Sequence, residues 1–504
     1  MGISPEEFVL FSISLTAIIC LLRRSPRFKT NCIKSPPEAS LILVLKMVVA
    51  AVRGNLKEVL KGHQLLQKRY GSIVAFPLFR TFIRPCILIS DYQLVKGIFK
   101  TSACFARPNN GFTIYYFDDE VRGLGLHHDE AKWSEIRQFT FRKLQEHGTG
   151  KNAFDAISAD EASLLITQIS ENYSNKAVPI DDLFSIPMMN VIWRVISGRR
   201  FDFKDTEASR VYHIISKFFS VGDLKTVIFL ALLAVLGNIS NKLLLWIRFL
   251  KPLKTIREFF IEYTKSSKEN FKEGEINTFT DAFLQKIQEA RDPNSVFFGR
   301  VGEENLAATV GELLAVGAKS SSVTLQWITL YLAAYPEKQE ILQEELDSVL
   351  GGRVPTIDDQ KVMPYTTAVI KETMRIATLF PAGVPRQTTE DLTIGGYHIS
   401  KGTIVASNTV AIHNDPDIWE DPEIFRPERF LCSNAIDKPF FPFGTGKRSC
   451  PAEHLAKHNL FIFVTSIFQR FSVSVDNTEN INLNPKHYSA TLVPSSHNLV
   501  FCPR

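Results

Sequence analysis

Closely spaced cysteine pairs are missing from this 504-residue chain: its seven cysteines, at 20, 32, 86, 104, 432, 450 and 502, include no CxxC. That excludes a disulfide framework and a zinc finger, and it suits a reducing compartment in which one cysteine matters for its chemistry. No internal repeat, low-complexity tract or strong linker follows the N-terminal region, which leaves one large domain or two that share a core. Neither sign of charge is in large excess. Against 53 acidic residues stand 58 basic ones, a net +5 dispersed along the chain, so nucleic acid is not an expected partner.

A phosphate loop is also absent, although Ala315 to Ser322 (AVGAKSSS) invites the comparison. Five residues separate Gly311 from Gly317, and Ala318 stands between Gly317 and Lys319, so the register fails twice. Glu312 to Tyr331 reads instead as one long helix, with a lysine and three serines where an interior helix should be apolar.

Long apolar runs are scarce, and two stand out. Phe8 to Leu22 (FVLFSISLTAIICLL) follows Glu6 and Glu7 and precedes Arg23, Arg24, Arg27 and Lys29. A cleaved signal peptide carries its positive charge on the other side, so this order predicts an uncleaved N-terminal transmembrane helix with the remaining chain in the cytosol. A core of fifteen residues is slightly short for a span, and a buried helix is the rival reading. Val227 to Leu236 (VIFLALLAVL) is about half the length that a second span needs. We read residues 1–25 as the membrane anchor, 26–59 as a basic, proline-containing hinge and linker broken at Lys34-Ser-Pro-Pro37, and 60–504 as the main domain.

Between Asn55 and Pro336 the pattern is mostly helical, with a strand pair expected near Ser72 to Ser90. After Lys361 the texture changes. A helix over Pro364 to Thr378 is followed by short extended pieces with Gly-Gly and Lys-Gly turns (LTIGGYHISKGTIVASNT), then by a proline-rich meander. The fold class is therefore mainly α with small β-sheets.

One loop concentrates the chemistry. Phe443-Gly-Thr-Gly-Lys-Arg-Ser-Cys450 delivers a cysteine to an expected helix start, with Pro451 as the first helical residue. The helix N-terminus and the neighbours Lys447 and Arg448 favour thiolate there, making the sulfur a nucleophile or a metal ligand. Gly444 and Gly446 let the backbone pass close beneath a flat cofactor, and Phe443 screens the sulfur from water. A merely structural cysteine would leave the glycines, the cations and the phenylalanine unexplained together.

This loop resembles the heme-thiolate signature of the cytochrome P-450 family, closest to its animal microsomal branch. Further motifs accompany it in the family's order: Trp133-Ser-Glu-Ile-Arg137, Glu372-Thr-Met-Arg375, Arg386 in VPRQTTEDL, and Pro427-Glu-Arg429-Phe430. The resemblance runs from about residue 60 to the end. It implies the family fold and heme b, with Cys450 as the iron ligand. Trp133, Arg137, Arg386 and Arg448 become propionate partners, and Glu372, Arg375 and Arg429 a buried charge triad that holds the meander. It also implies electrons from NADPH through a flavoprotein reductase, residence at the endoplasmic reticulum membrane, and a small lipophilic substrate. His127, His128 and His413 gain no ligand role from the series.

On the distal side the family carries Ala/Gly-Gly-x-Asp/Glu-Thr-Thr. Aligned on the TLQW that follows, Gly317 is the glycine that leaves room for dioxygen, Lys319 replaces the acid, and Ser320 supplies the hydroxyl, bonding the Val316 carbonyl or oxygen. Three readings of Lys319 stand: it points away while Ser320 and water carry protons, it donates protons itself, or ordinary oxygen activation does not occur. The last would make the protein a heme-thiolate isomerase or dehydratase, or a heme-binding protein without turnover. Asn109 to Val121 is expected to overlie the pocket, with Phe112, Tyr115 and Phe117 lining it. Ala377 to Val384 should pass the heme edge, and Val227 to Leu236 is either a membrane-dipping entrance or a buried helix. The expectation is a monooxygenase that inserts one oxygen atom into a steroid, fatty acid or xenobiotic.

Overall fold

The long helix predicted around Lys319 is the axis of the molecule. In a computed structural model that describes residues 34–504 except 53–54, 77–85, 109–120, 150–152, 220–250, 433–437, 477–479 and 487–490, it runs Gly299–Ala334 over 36 residues. Its polar first turns (GRVGEEN) had hidden its true start. In chain order the principal helices are α1 (Leu41–Val52), α2 (Leu56–Tyr70), α3 (Tyr92–Ile98), α4 (Glu130–Thr149), α5 (Ala153–Gln168), α6 (Ser185–Ser197) and α7 (Thr206–Phe219). They continue as α8 (Lys251–Asn270), α9 (Phe279–Glu289), α10 (the axial helix), α11 (Pro336–Leu350), α12 (Pro364–Ala377), α13 (Thr409–His413) and α14 (Glu453–Arg470).

Local chemistry sets several of these bounds. Asn55 caps α2, its Oδ1 accepting the Glu58 N–H at 3.1 Å, and Gly71 ends that helix at φ 85°. Thr278 and Asp281 form a capping box at the start of α9. Pro364 opens α12, and Thr378 closes it in the left-handed region at φ 39°. Along most of its length α10 is buried on all sides, so its apolar content reflects a core helix packed by α6, α8, α9, α12 and α14.

Three small sheets complete the fold. The expected strand pair is β1 (Ile73–Phe76) antiparallel to β2 (Cys86–Ile89). β2 pairs in parallel with β7 (Ile404–Ser407), which also holds the short β4 (Arg386–Gln387). β5 (Leu392–Ile394) and β6 (Tyr397–Ile399) form a hairpin whose turn needs two left-handed residues, met by Gly395 at φ 55° and Gly396 at φ 80°. β9 (Asn498–Pro503) lies between β3 (Ala177–Pro179) and β8 (Phe471–Val475).

Part of the stretch read as hinge and linker is built into this body. The Ala39 N–H donates to the Ala75 carbonyl and the Ala75 N–H to the Pro37 carbonyl, both at 2.9 Å, while Ala39, Val44 and Met47 pack with Leu66 and Val74. The expected anchor over 8–22 and the apolar run over 227–236 lie outside the described residues. Among the described residues, no helix is long and apolar enough to cross a membrane.

Candidate active site

The cysteine loop is a tight turn pinned to the end of α3. The Cys450 N–H donates to the Phe443 carbonyl at 2.9 Å, and the Lys447 N–H to the Phe99 carbonyl at 3.1 Å. Gly444 and Gly446 sit at φ 72° and 73°, where side chains are strained, and a Cβ on Gly446 would overlap the Phe99 carbonyl. Arg386 locks the same junction, donating to the Phe99 and Thr445 carbonyls at 2.6 Å each.

Two sequence expectations need correction here. Helix α14 begins at Glu453, with Pro451 and Ala452 in a turn before it, so Pro451 is not its first residue. The flanking cations are also occupied elsewhere: Lys447 pairs with Glu130, and Arg448 donates to the Leu124 and His127 carbonyls. Burial pushes the Cys450 thiol up, opposed by the Ala452 N–H and by Arg137. A bound metal, which deprotonates a coordinating thiol outright, would turn this sulfur into thiolate.

Around the loop, arginines converge on ground with little acid to balance them. Arg137 Nη2 donates to the Ser449 carbonyl at 2.9 Å, its guanidinium 5.1 Å from the Trp133 ring. Arg448 lies against Phe105 and Trp133, with ring centroids at 4.1 and 4.5 Å. Arg107, which nothing in the sequence had marked, joins them and donates to the Gly125, Val384 and Pro385 carbonyls. Burial lowers Arg448 to about 8, Arg386 to about 9 and Arg107 to about 10; repulsion between arginines adds to it, most at Arg448 and Arg386, and Glu312 opposes it at Arg107 and Arg448. Guanidinium groups do not give up protons in proteins, so the buried cluster keeps its charge and favours anionic partners. Among the described residues, Nε of Arg386 and Nε of Arg448 are buried donors without an acceptor. Two propionates would supply such anions. The residues therefore fit heme, with Cys450 for its iron.

The opposite wall is α10. From Asn305 to Ala333 this helix is fully buried except at half-buried Glu312, Leu313, Gly317, Ser320 and Thr324 and exposed Val316, a partly open strip at four-residue spacing. Val316 is 45% exposed on that strip, and Val384, beside Arg107 and Arg386, is 51% exposed. The backbone carbonyl bonded by Ser320 is that of Gly317, at a long 3.5 Å, rather than that of Val316. A Cβ on Gly317 would meet Ile192 of α6 at 3.3 Å, so this glycine makes room for a helix crossing, and the side chain over the strip is Val316. Lys319 is turned off the strip, its Nζ 3.2 Å from Ser216 Oγ and 3.4 Å from the Tyr212 hydroxyl of α7. That is the orientation of Lys319 in the first of the three readings.

Glu312, also unmarked in the sequence, accepts the N–H groups of Leu124 and Gly125 at 2.6 and 2.8 Å and so ties the 121–128 loop to α10. Burial raises its carboxyl to about 7 despite those bonds. Phe112, Tyr115 and Phe117 lie outside the described residues.

Behind the loop the predicted triad is assembled. Glu372 receives Arg375 through two bonds of 2.8 Å and Arg429 through one of 3.0 Å, all three side chains being buried. Arg429 also donates to the Glu420 and Ile424 carbonyls, which fixes the meander. His413 is likewise structural. Its Nε2 accepts the Phe441 N–H at 3.2 Å, so the proton belongs on Nδ1, facing Thr378 Oγ1 at 3.3 Å. Burial, with Arg375 nearby, lowers it to about 3 and keeps it neutral.

A helical body, a half-buried cysteine on a glycine turn, a buried arginine cluster and a partly open strip on the facing helix fit a heme-thiolate protein. The comparisons agree: the cytochrome P450 family model matches residues 35–501. The match begins within the stretch read as linker, because α1 and its strand contacts belong to the fold. The chain is 32% identical to human cytochrome P450 2J2, over 88% of this chain and 86% of that one. It is 27% identical to the farnesoate epoxidase of Bombyx mori, over 90% and 92%. A zebra fish cytochrome P450 solved with progesterone superposes with a TM-score of 0.76 at 24% identity, covering 88% of this chain and 99% of that one. The chain belongs to the cytochrome P450 family, whose members are monooxygenase oxidoreductases.

Proposed function

We propose that this protein is a membrane-anchored heme-thiolate monooxygenase that inserts one oxygen atom into a small lipophilic substrate. NADPH supplies its electrons through a flavoprotein reductase, and the catalytic domain faces the cytosol at the endoplasmic reticulum. The observation that carries the reading is the pairing of Cys450 with an arginine cluster short of anions. Heme bound there supplies the redox chemistry that activates dioxygen.

The chain's own residues then divide the work. Cys450 is the ligand, and Phe443, partly buried at the loop's start, limits water at the sulfur. Arg137, Arg386 and Arg448 orient the cofactor through its carboxylates, with Trp133 bracing Arg137 and Arg448. Ser320 holds a proton-carrying hydroxyl on the α10 strip, where water would complete the relay, while Lys319 stands aside. Val316 and Val384 offer apolar contact suited to a lipophilic substrate, and one relative is named for epoxidising farnesoate. Phe112, Tyr115 and Phe117 remain our assignment for the rest of the pocket.

The rival is an isomerase or dehydratase, favoured by the absence of the family's acid at Lys319. Turnover with a reductase separates the two. We expect product formation to consume NADPH and dioxygen, and turnover of an oxidised substrate without either would overturn the monooxygenase reading.

A further inference from the structure

Just beyond Cys450, the first turns of α14 carry two histidines that the heme chemistry does not use. His454 and His458 are one turn apart on one helix face, and their ring centroids lie 3.8 Å from each other. His454 is exposed and the His458 side chain is 16% exposed, so the pair faces solvent. Asp155 of α5 stands behind it, its Oδ1 3.4 Å from His458 Nδ1. A carboxylate there favours the proton on Nδ1 and leaves the Nε2 lone pair free to bind. Burial and the neighbouring His454 lower His458 from the usual imidazole range, against the pull of Asp155, so the ring is neutral at neutral pH. Lys457, the adjacent cation, is engaged by Glu453 at 2.6 Å. Among the described residues, neither His454 nor Nε2 of His458 has a hydrogen-bond partner.

We propose that His454 and His458, the second oriented by Asp155, form a surface site for one divalent transition-metal ion. The site is independent of the monooxygenase reading. Two ring nitrogens bound to tetrahedral zinc through bonds of about 2.0–2.1 Å stand roughly 3.3 Å apart, a span that rings this close already meet. Among the described residues, no three His, Cys, Asp or Glu side chains are grouped to hold a metal. The two imidazoles are therefore the protein ligands, and water completes the shell. Ligand type sets the selectivity: imidazole suits zinc and copper, whereas magnesium and calcium go to oxygen donors. The consequence is structural. α14 starts at Ala452 without a side-chain cap, and an ion bridging residues 454 and 458 closes the first turn of the helix that follows the cysteine loop. An ion held by the folded chain alone stabilises it.

The test uses the full-length, heme-loaded protein without a histidine tag, so that Cys450 is not a competing ligand, titrated by calorimetry with zinc chloride, copper chloride and magnesium chloride. Zinc is expected to bind in a saturable event that His454→Gln and His458→Gln each remove, lowering the stoichiometry by one ion per chain. His454 is exposed, so its variant should keep the wild-type circular dichroism and heme content. Asp155→Asn, which keeps both ligands, should weaken zinc about tenfold, the lower end of the range for a partner of a metal-bound histidine. Copper should bind more tightly than zinc, and magnesium not at all. Saturating zinc should raise the melting temperature of the wild type but not of His454→Gln, and leave the heme absorption band in place. No zinc binding by the wild type, an unchanged stoichiometry in His454→Gln, or magnesium binding equal to that of zinc overturns the site. Unchanged affinity in Asp155→Asn overturns the orienting role of that carboxylate.

Discussion

Glu372→Ala is expected to leave no stable heme-loaded protein, with a loss of about 3–5 kcal/mol, the range for breaking a buried ion pair by removing one partner. Its carboxylate is fully buried and takes bonds from Arg375, Arg429 and the Arg426 N–H, so the substitution strands two guanidinium groups where water does not reach. Arg375 would keep the His413 and Pro422 carbonyls at 2.7 and 2.8 Å, which satisfies donors but not charge. Arg375→Lys should fail nearly as badly, because an ammonium cannot reproduce the two-pronged contact. Urea unfolding and heme content of the purified variant check this. Wild-type values for both would mean that the triad is a dispensable surface-type contact.

Gly446→Ala is the second change with a large expected effect, and Gly444→Ala is its control. Both glycines have left-handed backbones, so each alanine carries a conformational cost of roughly 1–2 kcal/mol. They differ in surroundings. A Cβ on Gly444 meets nothing within 4 Å, whereas one on Gly446 runs into the Phe99 carbonyl and the Lys100 nitrogen. Neither backbone can yield without breaking the Lys447 to Phe99 bond or the Arg386 lock at 2.6 Å. Gly446→Ala should therefore purify with little heme and Gly444→Ala with nearly the full complement, judged by the ratio of heme to protein absorbance. Equal loading of the two would show that the loop is looser than its bonds imply.

What the sequence made legible was whatever repeats as a local pattern. The glycine turn before Cys450, the three-residue spacing of Glu372 and Arg375, and the Gly395-Gly396 hairpin each carry their geometry in adjacent residues. Contacts made across the fold did not declare themselves. Arg107 and Glu312 are single charges in unremarkable surroundings, and only the approach of the 121–128 loop to α10 gives them roles. Sequence neighbours misled for the same reason. Lys447 and Arg448 flank Cys450 in the chain, yet Glu130 and the Leu124 and His127 carbonyls claim them, because a tight turn sends successive side chains in different directions. Gly317 was read for the oxygen side when its open direction faces Ile192, a point of helix rotation that a motif alignment does not fix.

The central claim is that Cys450 binds heme iron as thiolate, and the absorption spectrum of the reduced, carbon-monoxide-bound protein tests it most directly. Full-length wild-type protein is predicted to show the long-wavelength thiolate band, and Cys450→Ser to lose it while keeping its helical circular dichroism. Heme-loaded wild-type protein without that band, or a Cys450→Ser variant that retains it, would contradict the account.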